Sequence, residues 1–226
     1  MHHLHHVCSA ALLGVLAALP SSTWAQTADA GFYATVYAQA SRLDSTTFDE
    51  VGTAGFGTGL KAAFDTGFGL GGDVGYRYGN GWAAEVEWNW RRHELASLRR
   101  AGTAVAGVTE GDFASNIIFV NGLRRFTLAS ERVVPYVGVG LGWVQEIDFD
   151  LNSATLERAW SDQGEAAVQV MGGAEFAVGD VWRLTADLRL LQIGDVELPA
   201  EEGVTGRLSK PEYNPLSVQV GLRRQF

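Results

Sequence analysis

Apolar and polar residues alternate along the final segment of the chain, residues 216–226. Alternation with a period of two indicates a β-strand with one apolar face, because successive side chains point to opposite sides of a strand. A tilted strand of about ten residues is long enough to cross a bilayer. This segment therefore predicts a membrane-crossing strand whose apolar face comprises Leu216, Val218, Val220, Leu222 and Phe226.

Seven earlier segments complete a prediction of eight strands. Tight-turn pairs such as Asn80-Gly81 and Gly179-Asp180 occupy short connections, which alternate with long ones as in bacterial outer-membrane barrels. The fourth segment is apolar on both faces at 117–120, so its phase stays open. The strands are predicted at 31–41, 67–78, 82–92, 113–126, from 134 to 151, 165–178, 181–193 and 216–226.

The fold class that this pattern predicts is all-β: a closed, antiparallel, up-and-down, eight-stranded transmembrane β-barrel. A soluble barrel or sandwich is the alternative, since its strands also alternate. Aromatic residues favour the membrane barrel, because they lie on the apolar parity near strand ends, where interfacial girdles occur. The predicted girdle consists of Tyr78, Trp82, Trp88, Trp90, Trp143 and Trp182.

The opposite parity is charged and rich in glycine, which predicts the lining of a narrow lumen. The interior of an eight-stranded barrel is just wide enough for side chains. Charges of both signs in that space should pair, because an uncompensated buried charge is costly. We therefore expect a salt-bridge network that closes the lumen, although the same network could form a gated ion path. It comprises Asp73, Arg77, Glu85, Glu87, Arg91, Glu175, Arg183, Asp187, Arg189 and Arg223.

The first 25 residues have the features of a cleaved secretory signal peptide, with a short apolar run and small residues before a cleavage site after Ala25. The barrel domain is then 26–226. The single cysteine, Cys8, lies in the leader, so that no disulfide is expected in the mature chain. The net charge of −9 disfavours nucleic acid as a partner.

No catalytic or cofactor motif stands out. His93 is the only histidine after the leader and is expected at a strand end or in a loop, with Ser97 and Ser115 near it in sequence. The segment 55–59, GFGTG, lacks the Lys-Ser/Thr of a phosphate loop. No cofactor, metal or catalytic residue is predicted, although Arg91, Arg92, Arg99 and Arg100 could contact lipopolysaccharide phosphates.

Acidic residues at 146, 148 and 150 have oxygen ligands of the kind that Ca²⁺ prefers. At a spacing of two along one strand they extend over about 13 Å, which is too far for one ion without ligands from elsewhere. A solvated acidic rim is therefore expected at this place.

Three segments carry a resemblance to a known family: GFGLGGDVGYRYGNGWAAEVEWNW at 67–90, PYVGVGLGW at 135–143 and VGLRRQF at 220–226. In these, the chain resembles the small outer-membrane β-barrel proteins of the opacity-protein and Ail-like group. The even number of predicted strands, with the short turns on the periplasmic side, implies periplasmic termini. The resemblance implies recognition of Phe226 by the outer-membrane assembly machinery. Arg224 departs from the family pattern, in which an apolar residue is usual.

The expected function is that of a non-enzymatic protein of the cell outer membrane, which contacts lipids and lipopolysaccharide. It would act through extracellular loops that bind an external ligand, in adhesion, surface protection or envelope integrity. A narrow porin-like channel is the first alternative. A lipid A-modifying enzyme is the second, and it would need a nucleophile, a histidine base and an acidic orienting group.

Overall fold

Eight antiparallel strands of the computed structural model form a closed ring. The structure describes residues 30–53, 55–126, 132–153, 157–194, 196–201, 205–209 and 211–226. The predicted signal peptide, 1–25, lies outside these residues. Within the described residues, no helix is long and apolar enough to span a membrane.

Fourteen strands of the described residues make up the sheet, and eight of them form the ring. The ring strands are β1 (Gly31–Arg42), β4 (Gly67–Arg77), β5 (Trp82–Arg100), β7 (Val108–Arg125), β8 (Val133–Ser153), β10 (Ala166–Ala177), β11 (Trp182–Ile193) and β14 (Leu216–Gln225). The others are β2 (Thr46–Gly52), β3 (Leu60–Phe64), β6 (Thr103–Ala104), β9 (Glu157–Asp162), β12 (Glu197–Pro199) and β13 (Gly206–Ser209).

Each ring strand pairs with the ring strands before and after it in sequence, and β1 closes the ring against β14. The closing pair is in register from Tyr33 opposite Gln225 to Arg42 opposite Leu216. At the first short connection, Gly81 has a φ of 84°, and the Asn80 side chain accepts a hydrogen bond from the backbone N–H of Trp82. The up-and-down eight-stranded barrel that the sequence predicts is therefore confirmed. Six ring strands lie near their predicted bounds, while β5 continues to Arg100 instead of ending at 92 and β7 begins at Val108 instead of 113.

The sequence predicts long loops between alternate pairs of ring strands. This prediction is wrong in one respect, because much of the length of these connections is β-structure. At the end opposite the short turns, β5, β7 and β8 run well past the other ring strands. β3 pairs with β5, β2 with β3, β13 with β2, and β12 with β13, while β9 pairs with β8. An isolated bridge between Trp160 and Ala200 connects β9 to the end of β12. We call this part the extended end, and the opposite part the turn end.

A β-bulge in β8 reverses which residues face inward. Opposite Asn116 and Ile117, the partner residues are Glu146 and Val144, so that Gln145 is an extra residue in the ladder. On the turn side of the bulge, Leu141 and Trp143 face outward, with 72% and 59% of their surface exposed. A bulge shifts side-chain parity by one residue. The alternation of the sequence from 134 to 151 predicts one apolar face along the whole strand. This prediction is wrong, because the odd-numbered residues Ile147, Phe149 and Leu151 are buried inside.

The bulge separates two different interiors. On the turn side the buried residues are mostly charged or polar, while the extended end contains an apolar core. Aromatic rings pack edge to face within that core, with centroids 5.1 Å apart for Phe113 and Phe149 and 5.3 Å apart for Phe48 and Phe149. Its other large members include Leu60, Ile117, Phe119, Ile147, Leu151, Trp160, Leu198, Leu208 and Tyr213.

Glycines of the inward parity make room for large side chains of neighbouring strands. A Cβ at Gly75 would overlap the ring and hydroxyl of Tyr33, whereas a Cβ at Gly122 would have no atom within 4 Å. We expect Gly75→Ala to lower the free energy of unfolding by about 1–3 kcal/mol, because the Tyr33 ring must move away from a well-packed position. Gly122→Ala is the matched control and should be near neutral. Urea titrations of both variants in lipid vesicles would measure the difference, and equal effects would contradict the packing role.

Candidate functional site

The centre of the turn-side interior is organised around Glu87, whose side chain is completely buried. Arg189 Nη1 donates to both carboxylate oxygens of Glu87, at 2.6 Å each. Asn121 Nδ2 donates at 2.6 Å and Gln169 Nε2 at 3.0 Å, while the Tyr37 hydroxyl makes a short contact. Because β5 and β11 are four strands apart in an eight-strand ring, the Glu87–Arg189 pair spans the interior between opposite walls.

Arg189 also binds a second acid, on its own strand. Its Nε donates to Asp187 Oδ1 at 2.7 Å, and the Tyr136 hydroxyl donates to the other oxygen of Asp187 at 2.5 Å. The Arg189 guanidinium also lies over the Tyr37 ring, 5.5 Å from its centroid. These contacts fix the guanidinium from several sides, as a buried charge requires.

A second cluster lies nearer the turn end, around Arg223 and Glu175. Arg223 Nη1 donates to Glu175 at 2.7 Å, and Nη2 is 3.3 Å from Glu85 and 3.6 Å from Asp73. Glu175 is shared by further guanidiniums: Arg77 at 3.3 Å, Arg125 at 3.2 Å and Arg183 at 3.8 Å. Since β4 and β10 are also four strands apart in the ring, the Arg77–Glu175 pair is a second contact between opposite walls.

The structure places all ten residues of the predicted lumen network on the inward parity. Arg77 lies diagonal to Glu85 across the first hairpin, but it contacts Glu175 rather than Glu85. Arg91 differs from the other arginines, because its hydrogen bonds are to Asn89 and Ser217 rather than to a carboxylate. Because Arg91 is buried, the expectation that it could contact lipopolysaccharide is wrong for this residue.

Several members of the network were not among the predicted residues. Arg125 and Asn121 lie on β7, the strand whose phase the sequence leaves open, and the pairing with β5 settles that phase. The tyrosine hydroxyls lie outside a network predicted from charge, although the position of Tyr33 and Tyr37 on the polar parity of β1 is the signal that would include them. Tyr33 donates to Glu85 at 2.9 Å, and Thr35 donates to Asp73 at 2.8 Å.

The residues of the predicted aromatic girdle lie on the outer surface. Tyr78, Trp82, Trp143 and Trp182 are exposed, and Trp88 and Trp90 are half-buried. At the turn end, the backbone N–H of Phe226 donates to the Phe32 carbonyl oxygen. The departing residue, Arg224, packs its guanidinium over the rings of Trp182 and Phe226, with the carbon 5.8 and 5.1 Å from the centroids.

His93 lies on β5 in the interior, where the charged cluster meets the apolar core. It is completely buried, so the expectation of a strand-end or loop position is wrong: β5 continues beyond it. One ring nitrogen is 2.8 Å from the Ser41 hydroxyl, and the other is 3.3 Å from the Tyr213 hydroxyl. Neither of these partners is a carboxylate, so the pair of Ser41 and His93 lacks the acidic group that orients a hydrolase histidine.

Three carboxylates meet outside the ring, just beyond Trp143. One carboxylate oxygen from each of Asp112, Asp148 and Asp150 lies within 4.8 Å of the other two. Asp112, on β7, is the additional ligand that β8 alone could not supply. This spacing could hold a divalent cation, although Arg92 already contacts Asp112 at 2.9 Å. Burial, together with the neighbouring acids, raises the pKa of Asp148 to about 7.

The raised pKa of Asp148 predicts a pH dependence of stability. Its carboxyl keeps a proton in the folded state at pH values where the unfolded chain has lost it. The free energy of unfolding should therefore fall as pH rises from about 4 to about 7. We expect Asp148→Asn to stabilise the fold at pH 8, on the order of 1 kcal/mol, with little effect at pH 4. Unfolding titrations with EDTA at both pH values test this. Asp180→Asn, at an exposed turn, is the control; an equal gain for both variants would contradict the prediction.

Comparisons with known proteins agree with this architecture. A family model described as an outer membrane protein beta-barrel domain matches residues 10–226. An outer membrane protein of Gluconacetobacter diazotrophicus is 30% identical over 138 residues, which cover 56% of this chain and about a third, 36%, of that protein's length.

Solved structures are similar at low sequence identity, so they support the fold alone. Neisserial surface protein A is 20% identical with a TM-score of 0.53, covering 88% of this chain and 99% of that one. The outer membrane protein AlkL is 19% identical with a TM-score of 0.53, covering 92% and 95%. A major outer membrane protein of Thermus thermophilus is 13% identical, also with a TM-score of 0.53, covering 85% and 99%.

Proposed function

Because the chain belongs to the outer membrane protein β-barrel domain family, we propose that it is a non-enzymatic barrel with a closed lumen that acts through its extracellular end. One observation carries the closed lumen: Arg189 and Glu87 form an ion pair between opposite walls. Beyond that pair, the interior that the described residues form becomes largely an apolar core, which is unfavourable for the passage of ions. The narrow channel and the lipid A-modifying enzyme are therefore the less favoured functions.

The proposal assigns a direction to the barrel in the outer membrane. The turn end and both termini of the mature chain lie in the periplasm, after removal of residues 1–25. Phe226 then serves as the assembly signal, and the outward aromatic residues lie at the two membrane interfaces. The extended end is extracellular. Its apolar core makes it a rigid surface rather than a set of flexible loops, which suits adhesion, surface protection or support of the envelope.

Single-cysteine labelling tests this direction. The mature chain has no cysteine, because Cys8 lies in the proposed leader. Thr103→Cys places a thiol at the exposed tip of the extended end, and Asn80→Cys places one at an exposed turn. With a membrane-impermeant maleimide on intact cells, we expect labelling at 103 and protection at 80 until the cells are lysed. The reverse pattern would overturn the assignment.

The proposal that the protein is not an enzyme has its own test. The geometry closest to a hydrolase is that of Ser41 and His93, and both residues are buried between the charged cluster and the apolar core. Mass spectrometry of lipid A from cells with and without the gene should give the same profile. A change in acylation that disappears in a Ser41→Ala variant would instead support the enzyme.

A further inference from the structure

A cavity of about 670 Å³ lies at the tip of the extended end. It is formed between the turn that joins β2 to β3, the connection from β5 to β7, and the ends of β8 and β9. Its walls include Phe56, Arg100, Val105, Leu151 and Arg158. This volume is within the range of cavities that bind small organic molecules.

The charge of the cavity is positive, although the chain as a whole carries −9. Arg100 and Arg158 contribute the two charged side chains of the wall, and no carboxylate belongs to it among the described residues. Guanidinium groups bind carboxylate, sulfonate and phosphate oxygens through paired hydrogen bonds. The cavity is therefore suited to a ligand with at least one anionic group.

Phe56 holds both guanidiniums in place. Its carbonyl oxygen accepts a hydrogen bond from Arg100 Nη1 at 2.9 Å, and its ring lies under Arg158, whose guanidinium carbon is 5.0 Å from the centroid. The flanking glycines, Gly55 and Gly57, have φ values of 84° and 77°, which glycine adopts without strain. The segment GFGTG is thus explained as the turn that presents Phe56.

This turn is fixed before any ligand arrives. The Glu50 carboxylate accepts hydrogen bonds from the backbone N–H groups of Phe56 and Gly57, at 3.1 and 3.2 Å. The Phe56 ring packs against Trp160 of the apolar core, with centroids 6.2 Å apart. A cavity whose charged groups are already oriented loses less entropy when it binds a ligand.

The other part of the wall is apolar. Leu151 belongs to the apolar core, and Phe56 and Val105 pack against that core. From Trp90, on the outer aromatic surface, to Arg100 the strand β5 advances about 33 Å. With the usual tilt this is about 25 Å of height, so the cavity opens to water rather than to lipid.

We propose that this cavity binds a water-soluble amphipathic organic anion, with one carboxylate, sulfonate or phosphate group on the two arginines and an apolar body against Phe56, Val105 and Leu151. Access from outside the cell rests on the proposed function, whereas the binding itself does not. A failure of the labelling experiment would contradict the direction of the barrel but not the binding site. A failure to bind the anion would contradict the site but not the closed barrel or its direction in the membrane.

Isothermal titration of the full mature chain in lipid nanodiscs, with empty nanodiscs subtracted, tests the proposal. The probe is 2-naphthalenesulfonate. Inorganic sulfate supplies an anion without an apolar body, and 2-naphthalenemethanol supplies the apolar body without the charge. We expect the sulfonate to bind at least about tenfold more tightly than either of the others. Sulfate binding as tightly as the probe, or no heat beyond that of empty nanodiscs, would overturn the proposal.

Variants locate the site. Arg100→Gln and Arg158→Gln should each weaken binding of the sulfonate about tenfold. Arg99→Gln is the matched control, because Arg99 is the neighbouring arginine on the outer face and is not part of the wall. Ala106→Trp should block the cavity without removing charge, and heat-dependent gel migration verifies that each variant is folded. Equal losses at 99 and 100, or full binding by the tryptophan variant, would contradict the site.

Discussion

Replacement of Glu87 with alanine should lower the free energy of unfolding by about 3–5 kcal/mol. The carboxylate is completely buried and accepts hydrogen bonds from Arg189, Asn121 and Gln169. Its removal leaves these donors, and part of the Arg189 charge, without their partner in a confined space. Urea titration in lipid vesicles, followed by tryptophan fluorescence, measures the loss.

The double variant with Glu87→Leu and Arg189→Met is the control for this prediction. Removing both charges together leaves neither member of the pair without the other, so the loss should be smaller than the sum of the single losses. The part of the loss that remains includes Asp187, which no longer has the Arg189 guanidinium as a partner. Additive effects of the two substitutions would show that the pair is not energetically coupled, and would contradict the role assigned to it.

Insertion of one alanine between Asp148 and Phe149 should abolish the folded extended end. The added residue shifts the alternation beyond it by one, so that Phe149 would point outward and Asp150 into the apolar core. Burying a carboxylate among aromatic rings, while Phe149 and Leu151 become exposed, costs more than this part of the chain can compensate. Limited proteolysis should cut the extended end rapidly, at sites that are protected in the wild type.

Deletion of Gln145 is the matched control, since it also changes the residue count by one but removes only the unpaired residue of the bulge and leaves Phe149 facing inward opposite Phe113. It should resist proteolysis as well as the wild type does. If the insertion were equally resistant, the orientation of Phe149 would not be what holds the extended end together, and the role assigned to its apolar core would be contradicted.

The sequence predicts the ring well, because the faces of a membrane barrel strand alternate without interruption between its two interfaces. The segment 181–193 illustrates this, since it is observed as Trp182–Ile193. The inward position of Arg77 and Glu85 follows from the parity of their hairpin. The parity of a strand does not identify the ion-pair partner of an inward residue. Arg77 contacts Glu175 on the opposite wall, and this contact cannot be inferred from the positions of the two residues in the sequence.

The extended end could not be predicted for a different reason. The bulge at Gln145 adds one residue within a stretch whose sequence alternates without a break from 134 to 151. The change in which residues face inward is therefore not visible in the sequence pattern. Likewise, β2 pairs with β13 across more than 150 residues of chain, as Asp49 opposite Ser209 shows. Tertiary pairing, rather than local preference, turns these segments into strands.

Conductance across a planar lipid bilayer tests the central claim most directly, because the claim is that ion pairs between opposite walls and an apolar core close the lumen. The folded wild-type protein should give no steady single-channel steps in 1 M KCl. Steady, ohmic steps from the wild-type protein would contradict the closed barrel and establish the narrow pore in its place.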